Sequence, residues 1–100
     1  MPREHDRVSY FTETVLESAS GKREARISDL APGGCYIDSI VGVQPGDAVS
    51  FDIVKPPDTR MNFSGEVAYI FPGNGFGVKF TDLTEEKREF IGDLINTSQV

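Results

Sequence analysis

The sequence has few of the residues that carry catalytic or metal chemistry. Its 100 residues include one histidine, His5, one cysteine, Cys35, and no tryptophan. One histidine and one cysteine are too few for a tetrahedral zinc site unless carboxylates complete it. A single cysteine cannot form an internal disulfide, which favours the reducing cytoplasm as the compartment. We therefore expect a cytoplasmic chain without a metal ion or other cofactor.

Nothing in the sequence predicts an enzyme. A Cys–His catalytic pair needs a cleft and a third group that orients it, and the residues around His5 and Cys35 indicate neither. Cys35 follows a Gly-Gly pair, where a small buried apolar residue at the start of a strand is the simpler interpretation. The glycine-rich residues 73–77 lie between two predicted strands rather than before a helix, so they indicate a hairpin turn and not a phosphate loop.

Basic residues are scarce as well. Lysine and arginine total 10 against 16 aspartate and glutamate residues, which gives a net charge of −6. Nonspecific binding to DNA, RNA or anionic membranes requires a cationic surface. The sequence also lacks an apolar run near the roughly 20 residues of a membrane helix, and its N-terminus lacks the apolar region of a secretory signal. We expect no DNA or RNA partner and no membrane insertion, although a local basic site for a small anion fits the composition.

Short apolar segments separated by turn residues are abundant, and this pattern is typical of an all-β domain. The predicted strands are Val8–Glu17, Arg23–Leu30, Cys35–Ser39, Val49–Ile53, Asn62–Phe71 and Phe76–Phe80. After Asp82 or Thr84, either of which can cap a helix, an apolar stripe with helical spacing begins. We predict a small antiparallel barrel or sandwich with a C-terminal helix over residues 8–100, preceded by a flexible polar arm over residues 1–7.

Two segments contain residues suited to a guanine nucleotide. Arg3 and Arg7 lie in the arm, and an arginine fork matches both phosphate oxygens and the O6/N7 edge of guanine. The segment 29–34, Asp-Leu-Ala-Pro-Gly-Gly, combines a carboxylate that can accept from guanine N–H groups with bare backbone that a ligand can approach. Each has a plainer explanation, since the arginines can pair with Glu4 and Asp6, and Pro-Gly-Gly can be only a turn.

The order of these features resembles the PilZ domain family, the bacterial receptor module for cyclic di-GMP. The family's Arg-x-x-x-Arg motif, just before the first strand, is similar to residues 3–7, and its Asp/Asn-x-Ser-x-x-Gly motif is similar to residues 29–34. Residues 65–69, Gly-Glu-Val-Ala-Tyr, and 75–80, Gly-Phe-Gly-Val-Lys-Phe, resemble the family's late strand pair, which a helix follows. The resemblance covers essentially the whole chain.

The resemblance implies a six-stranded antiparallel PilZ-type β-barrel with a short C-terminal α-helix and a ligand site on its outer face. The ligand contacts that it implies are Arg3, Arg7, Asp29, Ala31 and Gly34, with Gly33 and Tyr69 as further candidates. In some members an aromatic at the position of Tyr69 packs on guanine. The alternation along the fifth strand instead favours the core for Tyr69, because it shares a side with Val67 and Phe71.

This sequence departs from the family motif at Ala31, where the motif has serine. A hydrogen bond to a charged group is worth about 1.5–3 kcal/mol, so its loss predicts an affinity lower by roughly ten- to a hundredfold. Ser28 is close in sequence, but strand alternation predicts that it faces away from Asp29, so we do not expect it to substitute.

The resemblance implies a cyclic di-GMP receptor in bacterial second-messenger signalling. The arm is expected to become ordered around the ligand and to present a new surface to a partner protein in trans. A degenerate PilZ-like protein-interaction module that binds no nucleotide is the alternative, and Ala31 is the residue that favours it. A third hypothesis, a barrel for single-stranded nucleic acid, is disfavoured by the net charge of −6.

Overall fold

The computed structural model describes residues 8–40 and 42–98, which form a barrel followed by a helix. The elements are β1 (Val8–Ser18), β2 (Gly21–Ala31), β3 (Gly34–Asp38), β4 (Ala48–Lys55), β5 (Thr59–Phe71), β6 (Gly75–Phe80) and α1 (Glu85–Ser98). All the predicted strands are present, although β5 begins at Thr59 rather than Asn62. The predicted arm, residues 1–7, lies outside the described residues.

The strands are antiparallel and form a closed barrel in the order β1-β2-β3-β6-β5-β4. The predicted barrel is therefore confirmed, and the sandwich is not formed. Two tight connections use glycine with a positive φ, which a residue with a Cβ rarely adopts. Gly21 has φ 113° where β1 turns into β2, and Gly73 has φ 79° where β5 turns into β6.

Strand alternation directs one side of each strand into an aromatic and aliphatic core. Val49, Phe51 and Ile53 of β4 are all buried, as their alternation predicts. The ring of Phe63 lies 5.1 Å from that of Phe80 and 5.9 Å from that of Phe90 on α1, measured between centroids. These contacts join the helix to the barrel.

The helix begins after Thr84, whose hydroxyl accepts a hydrogen bond of 3.1 Å from the amide of Lys87. Thr84 is therefore the N-cap. Asp82, the other candidate, instead accepts from the amide of Ser64 at 3.0 Å and forms an ion pair with the Lys87 ammonium. In the described part of the chain, no helix has the length and apolarity needed to cross a membrane.

The barrel closes between β1 and β4 mainly through side chains. Glu17 of β1 pairs with Ser50 of β4 there. Further along, Thr14 Oγ1 donates to the carbonyl of Asp52 at 2.8 Å and accepts from its amide at 3.2 Å. The Tyr10 hydroxyl donates to the carbonyl of Val54. These side-chain hydrogen bonds satisfy backbone groups of β4 where the ladder is interrupted.

An irregularity in β2 changes which residues face outward. The register against β3 shifts between Ile27 and Asp29, and both Ile27 and Leu30 are fully buried. Two inward residues three positions apart leave Ser28 and Asp29 together on the outside. The prediction that Ser28 faces away from Asp29 is therefore wrong, because a β-bulge interrupts the alternation on which it rested.

A second bulge inverts the alternation in β5. Val67 lies opposite Val78 of β6, but the next paired residue of β5 is Tyr69, so Ala68 is the extra residue. Val67 is consequently buried, whereas Tyr69 is 42% exposed and Phe71 is 55% exposed. The expectation that Tyr69 lies in the core is wrong for this reason, and its ring is on the outer face of the barrel.

Candidate ligand-binding site

A small pocket of about 170 Å³ opens on the outer face of the barrel, where β2, β3, β5 and β6 lie side by side. Four of the sequence-predicted contacts line it, namely Asp29, Ala31, Gly34 and Tyr69. Tyr36 and Gly77, which were not predicted, line it as well. The pocket thus joins residues that are far apart in the sequence.

Strand register explains how these residues come together. Asp29 of β2 lies opposite Tyr36 of β3, Tyr36 lies opposite Gly77 of β6, and Gly77 lies opposite Tyr69 of β5. Directly opposed residues in antiparallel strands project to the same face. Asp29, Tyr36, Gly77 and Tyr69 therefore form one row across four neighbouring strands, which we call the cross-strand row.

Gly77 forms the floor of this row. The rings of Tyr36 and Tyr69 face each other above it, with centroids 6.3 Å apart and planes inclined by 30°. A Cβ atom at position 77 would lie 2.4 Å from Cζ of Tyr69, so even an alanine would displace that ring. The two tyrosines can pack together because the residue between them has no side chain.

Phe71 extends the aromatic surface beyond the row. It lies opposite Gly75, and its ring centroid is 6.0 Å from that of Tyr36 and 5.7 Å from that of Tyr69. The rings of Tyr69 and Phe71 are partly exposed to solvent. An exposed aromatic face beside a pocket is suited to stacking with a planar heterocycle, such as a nucleobase.

Tyr36 has an unusual environment for a tyrosine on the outer face. It is only 9% exposed, and its hydroxyl oxygen is buried without a hydrogen-bond partner in the described part of the chain. Burial raises the pKa of Tyr36 above its ordinary value, and the charges of Asp38 and Asp29 and the neighbouring Tyr69 raise the pKa further. The phenol therefore stays protonated at neutral pH, and its O–H can act as a donor.

A larger groove of about 400 Å³ follows the junction of β1 with β4, which we call the seam groove. Several of its polar side chains bond to one another. Arg60 forms an ion pair with Asp52 at 3.5 Å, and the Asn62 amide donates to Ser50 Oγ at 3.2 Å and to Asp52 Oδ1 at 3.1 Å. These contacts join β4 to β5 across their continuous ladder.

Comparison with known families decides the classification. The sequence model of the family described as "PilZ domain" matches residues 2–97. The chain belongs to the PilZ domain family. Among curated proteins, no sequence matches this chain.

Solved PilZ-containing structures share the fold. The chain is similar to Bacillus subtilis inhibitor of motility, MotI/DgrA, with a TM-score of 0.79 at 12% identity over 99% of this chain and 52% of that one. It is also similar to the PilZ domain of CeSA from a cellulose-synthesizing bacterium, with a TM-score of 0.68 at 13% identity over 94% and 98% of the two chains. The chain thus spans about half of the MotI/DgrA chain.

The remaining residues of the two PilZ motifs differ in whether they line the pocket. Gly34 lines the pocket, and a Cβ there would lie 2.1 Å from the carbonyl oxygen of Val78, so the close approach of β3 to β6 already requires glycine. Gly33 is exposed, and a Cβ there would have no atom within 4 Å. Arg3 and Arg7 lie outside the described residues.

Of the two pocket residues that were not predicted, Gly77 has a recognisable sequence pattern and Tyr36 has none. Gly75 and Gly77 alternate with Phe76 and Val78 in β6, so one face of that strand has no side chains at these positions. A bare strand face allows larger residues of both neighbouring strands to meet across it. Tyr36 is two residues beyond the motif glycine, and no local pattern distinguishes it from a core residue.

Proposed function

We propose that this PilZ domain is a receptor for cyclic di-GMP and that it acts as an adaptor in bacterial second-messenger signalling. The observation that carries the proposal is the cross-strand row, which has a carboxylate at one end and an exposed aromatic ring at the other. The pocket beside it contains Asp29, Ala31 and Gly34, residues of the segment that resembles the second family motif. The row and the motif residues occupy the same place on the barrel.

The two ends of the row suit the two recognition needs of guanine. The Asp29 carboxylate can accept hydrogen bonds from the N–H groups of the base edge. The partly exposed Tyr69 ring offers a face on which the base can stack, an interaction worth about 1–3 kcal/mol per base. Tyr69 is thus proposed as a stacking residue and Asp29 as the acidic contact.

Phosphate recognition requires positive charge, which the pocket itself does not supply. Among the described residues that line it, none is lysine or arginine. The first paired residue of β1, Val8, lies opposite Leu30, and Ser9 lies opposite Asp29, so the chain enters the barrel beside the pocket. Arg7 is covalently joined to Val8, which supports a role for Arg3 and Arg7 in binding the ligand phosphates through paired N–H donors.

Signalling would result from the binding of residues 1–7 to the ligand. With two guanidinium groups engaged by the dianionic ligand, residues 1–7 would be held against the barrel and would create a composite surface with it. Two exposed apolar side chains, Phe71 at 55% and Ile40 at 87%, are available to such a surface. The proposed reader of the bound state is another protein acting in trans.

Isothermal titration calorimetry with cyclic di-GMP tests the proposal. We expect micromolar or tighter binding to the wild type, and at least a hundredfold weaker binding to Arg3→Ala/Arg7→Ala. The matched control is Arg23→Ala/Arg88→Ala, which removes two exposed arginines that do not line the pocket. It changes the net charge equally and should leave the affinity unchanged.

Two results would contradict the proposal. One is the absence of binding by the wild type at millimolar ligand, and the other is an equal loss of affinity in the control, which would indicate a nonspecific charge effect. Absence of binding by the wild type would favour the second candidate function, a PilZ-like protein-interaction module. The missing hydroxyl at Ala31 is the observation that supports this alternative.

A further inference from the structure

The hydroxyl of Tyr36 is a buried donor that the described fold leaves without a partner. Tyr36 is 9% exposed, and its Oη has no hydrogen bond within residues 8–40 and 42–98. Burying a hydroxyl without a partner is unfavourable, because the bonds that it made to water are lost and not replaced. Buried polar atoms of this kind are uncommon in folded proteins, so the group calls for a physical explanation.

The ring of Tyr36 is held in place by contacts that do not involve the hydroxyl. It packs against the rings of Tyr69 and Phe71. It also lies close above Gly75, where an added Cβ would be 3.0 Å from Cε2 of Tyr36. A phenylalanine would make the same contacts, so packing alone does not require a tyrosine at this position.

The position of Tyr36 relates its hydroxyl to the proposed ligand. Tyr36 lines the same pocket as Ala31 and lies opposite Asp29 in the strand register. Ala31 provides no hydroxyl, and the carboxylate of Asp29 can only accept hydrogen bonds when it is ionised. A phenolic O–H is therefore the complementary group, since guanine presents the O6 acceptor next to the N–H groups that a carboxylate binds.

We propose that Tyr36 is a ligand-contact residue whose phenolic O–H donates a hydrogen bond to an acceptor atom of the bound dinucleotide, in place of the hydroxyl that is absent at Ala31. The proposal rests on the proposed function and adds a residue to it. Asp29 as acceptor and Tyr36 as donor would together select a base that presents both kinds of group.

The test is Tyr36→Phe, measured in two independent ways. By calorimetry, the affinity for cyclic di-GMP should fall about tenfold or more. By thermal unfolding without ligand, the midpoint should stay the same or rise, because the variant removes a buried hydroxyl that has no partner. A structural hydroxyl would behave in the opposite way in the second measurement.

A tyrosine outside the pocket supplies a matched control. Tyr10→Phe removes a hydroxyl that donates to the carbonyl of Val54, so it should lower the unfolding midpoint and leave the affinity unchanged.

The outcomes separate the two proposals. If the wild type binds and Tyr36→Phe binds equally well, the inference is overturned and the receptor function stands. If Tyr36→Phe lowers the ligand-free midpoint as much as Tyr10→Phe does, the hydroxyl is structural and the inference is again wrong. If the wild type itself does not bind, the proposed function fails, and the inference fails with it.

Discussion

The seam groove and the proposed ligand pocket lie on the same barrel and differ in size and chemistry. The seam groove is larger, about 400 Å³ against about 170 Å³. Its aspartate, arginine and asparagine side chains bond to one another. The pocket instead contains bare glycine backbone and a buried hydroxyl without a partner in the described chain. The two surfaces thus differ in the state of their polar groups as well as in volume, and the smaller one contains the proposed ligand contacts.

The difference originates in how neighbouring strands meet. In the seam groove the β1–β4 ladder is interrupted, so Thr14 and Tyr10 bridge the strands with their side chains. In the pocket the ladder between β3 and β6 is continuous, and Gly77 leaves the outer face of β6 bare. A gap that side chains must close becomes a structural element, whereas a bare strand between larger neighbours becomes a cavity.

The largest expected effect concerns a glycine that serves the fold. Gly34→Ala should lower the free energy of unfolding by about 3 kcal/mol, because its Cβ would lie 2.1 Å from the backbone carbonyl of Val78 and neither strand can retreat without breaking the ladder. Urea denaturation measures the change. The neighbouring Gly33→Ala is the control, since a Cβ there meets no atom within 4 Å. Equal stability of the two variants would refute the clash.

The second prediction compares the loss of affinity when one carboxylate is removed from the pocket or from the seam groove. Asp29→Ala should weaken cyclic di-GMP binding roughly ten- to a hundredfold, the range for a hydrogen bond to a charged group. Asp52→Ala removes the partner of Arg60 and Asn62 in the seam groove. It should lower stability by only about 1 kcal/mol or less and leave the affinity unchanged. Calorimetry on both variants checks this, and a greater loss of affinity at Asp52 would reverse the assignment of the two grooves.

The smallest effect concerns the glycine that serves the site. Gly77→Ala would place a Cβ 2.4 Å from the outer end of the Tyr69 ring. Because Tyr69 is 42% exposed, the ring can swing away at little cost to stability. Affinity should fall by about 1 kcal/mol, the value of an aromatic contact, or roughly fivefold. A denaturation midpoint that falls as far as that of Gly34→Ala would show that Gly77 serves the fold instead.

Most of the fold follows from local sequence patterns. The alternation of Val49, Phe51 and Ile53 defines β4, and glycines mark the turns between strands. The succession of strands and turns along the sequence was therefore predictable. The helix start was predictable to within two candidates, and the hydrogen bond at Thr84 decides between them. These features depend on neighbours in sequence, and the physical rules for them are local.

The site was predictable only in part. The motif segment indicated Asp29, Ala31 and Gly34, but the faces of Ser28 and Tyr69 were predicted incorrectly. Each error follows from a single extra residue in a strand, which reverses every side chain beyond it. Bulges are determined by pairing with other strands, so alternation within one strand cannot reveal them. The place of Tyr36 in the cross-strand row likewise depends on Gly77, a residue far away in sequence.

A two-dimensional ¹H–¹⁵N NMR titration with cyclic di-GMP tests most directly which groove binds the ligand. We expect the largest shifts at the amides of Asp29, Tyr36, Tyr69 and Gly77, the cross-strand row, with Glu13, Asp52 and Arg60 of the seam groove unmoved at saturation. Shifts centred on the seam groove, or uniform small shifts without saturation, would contradict the assignment of the pocket as the ligand site.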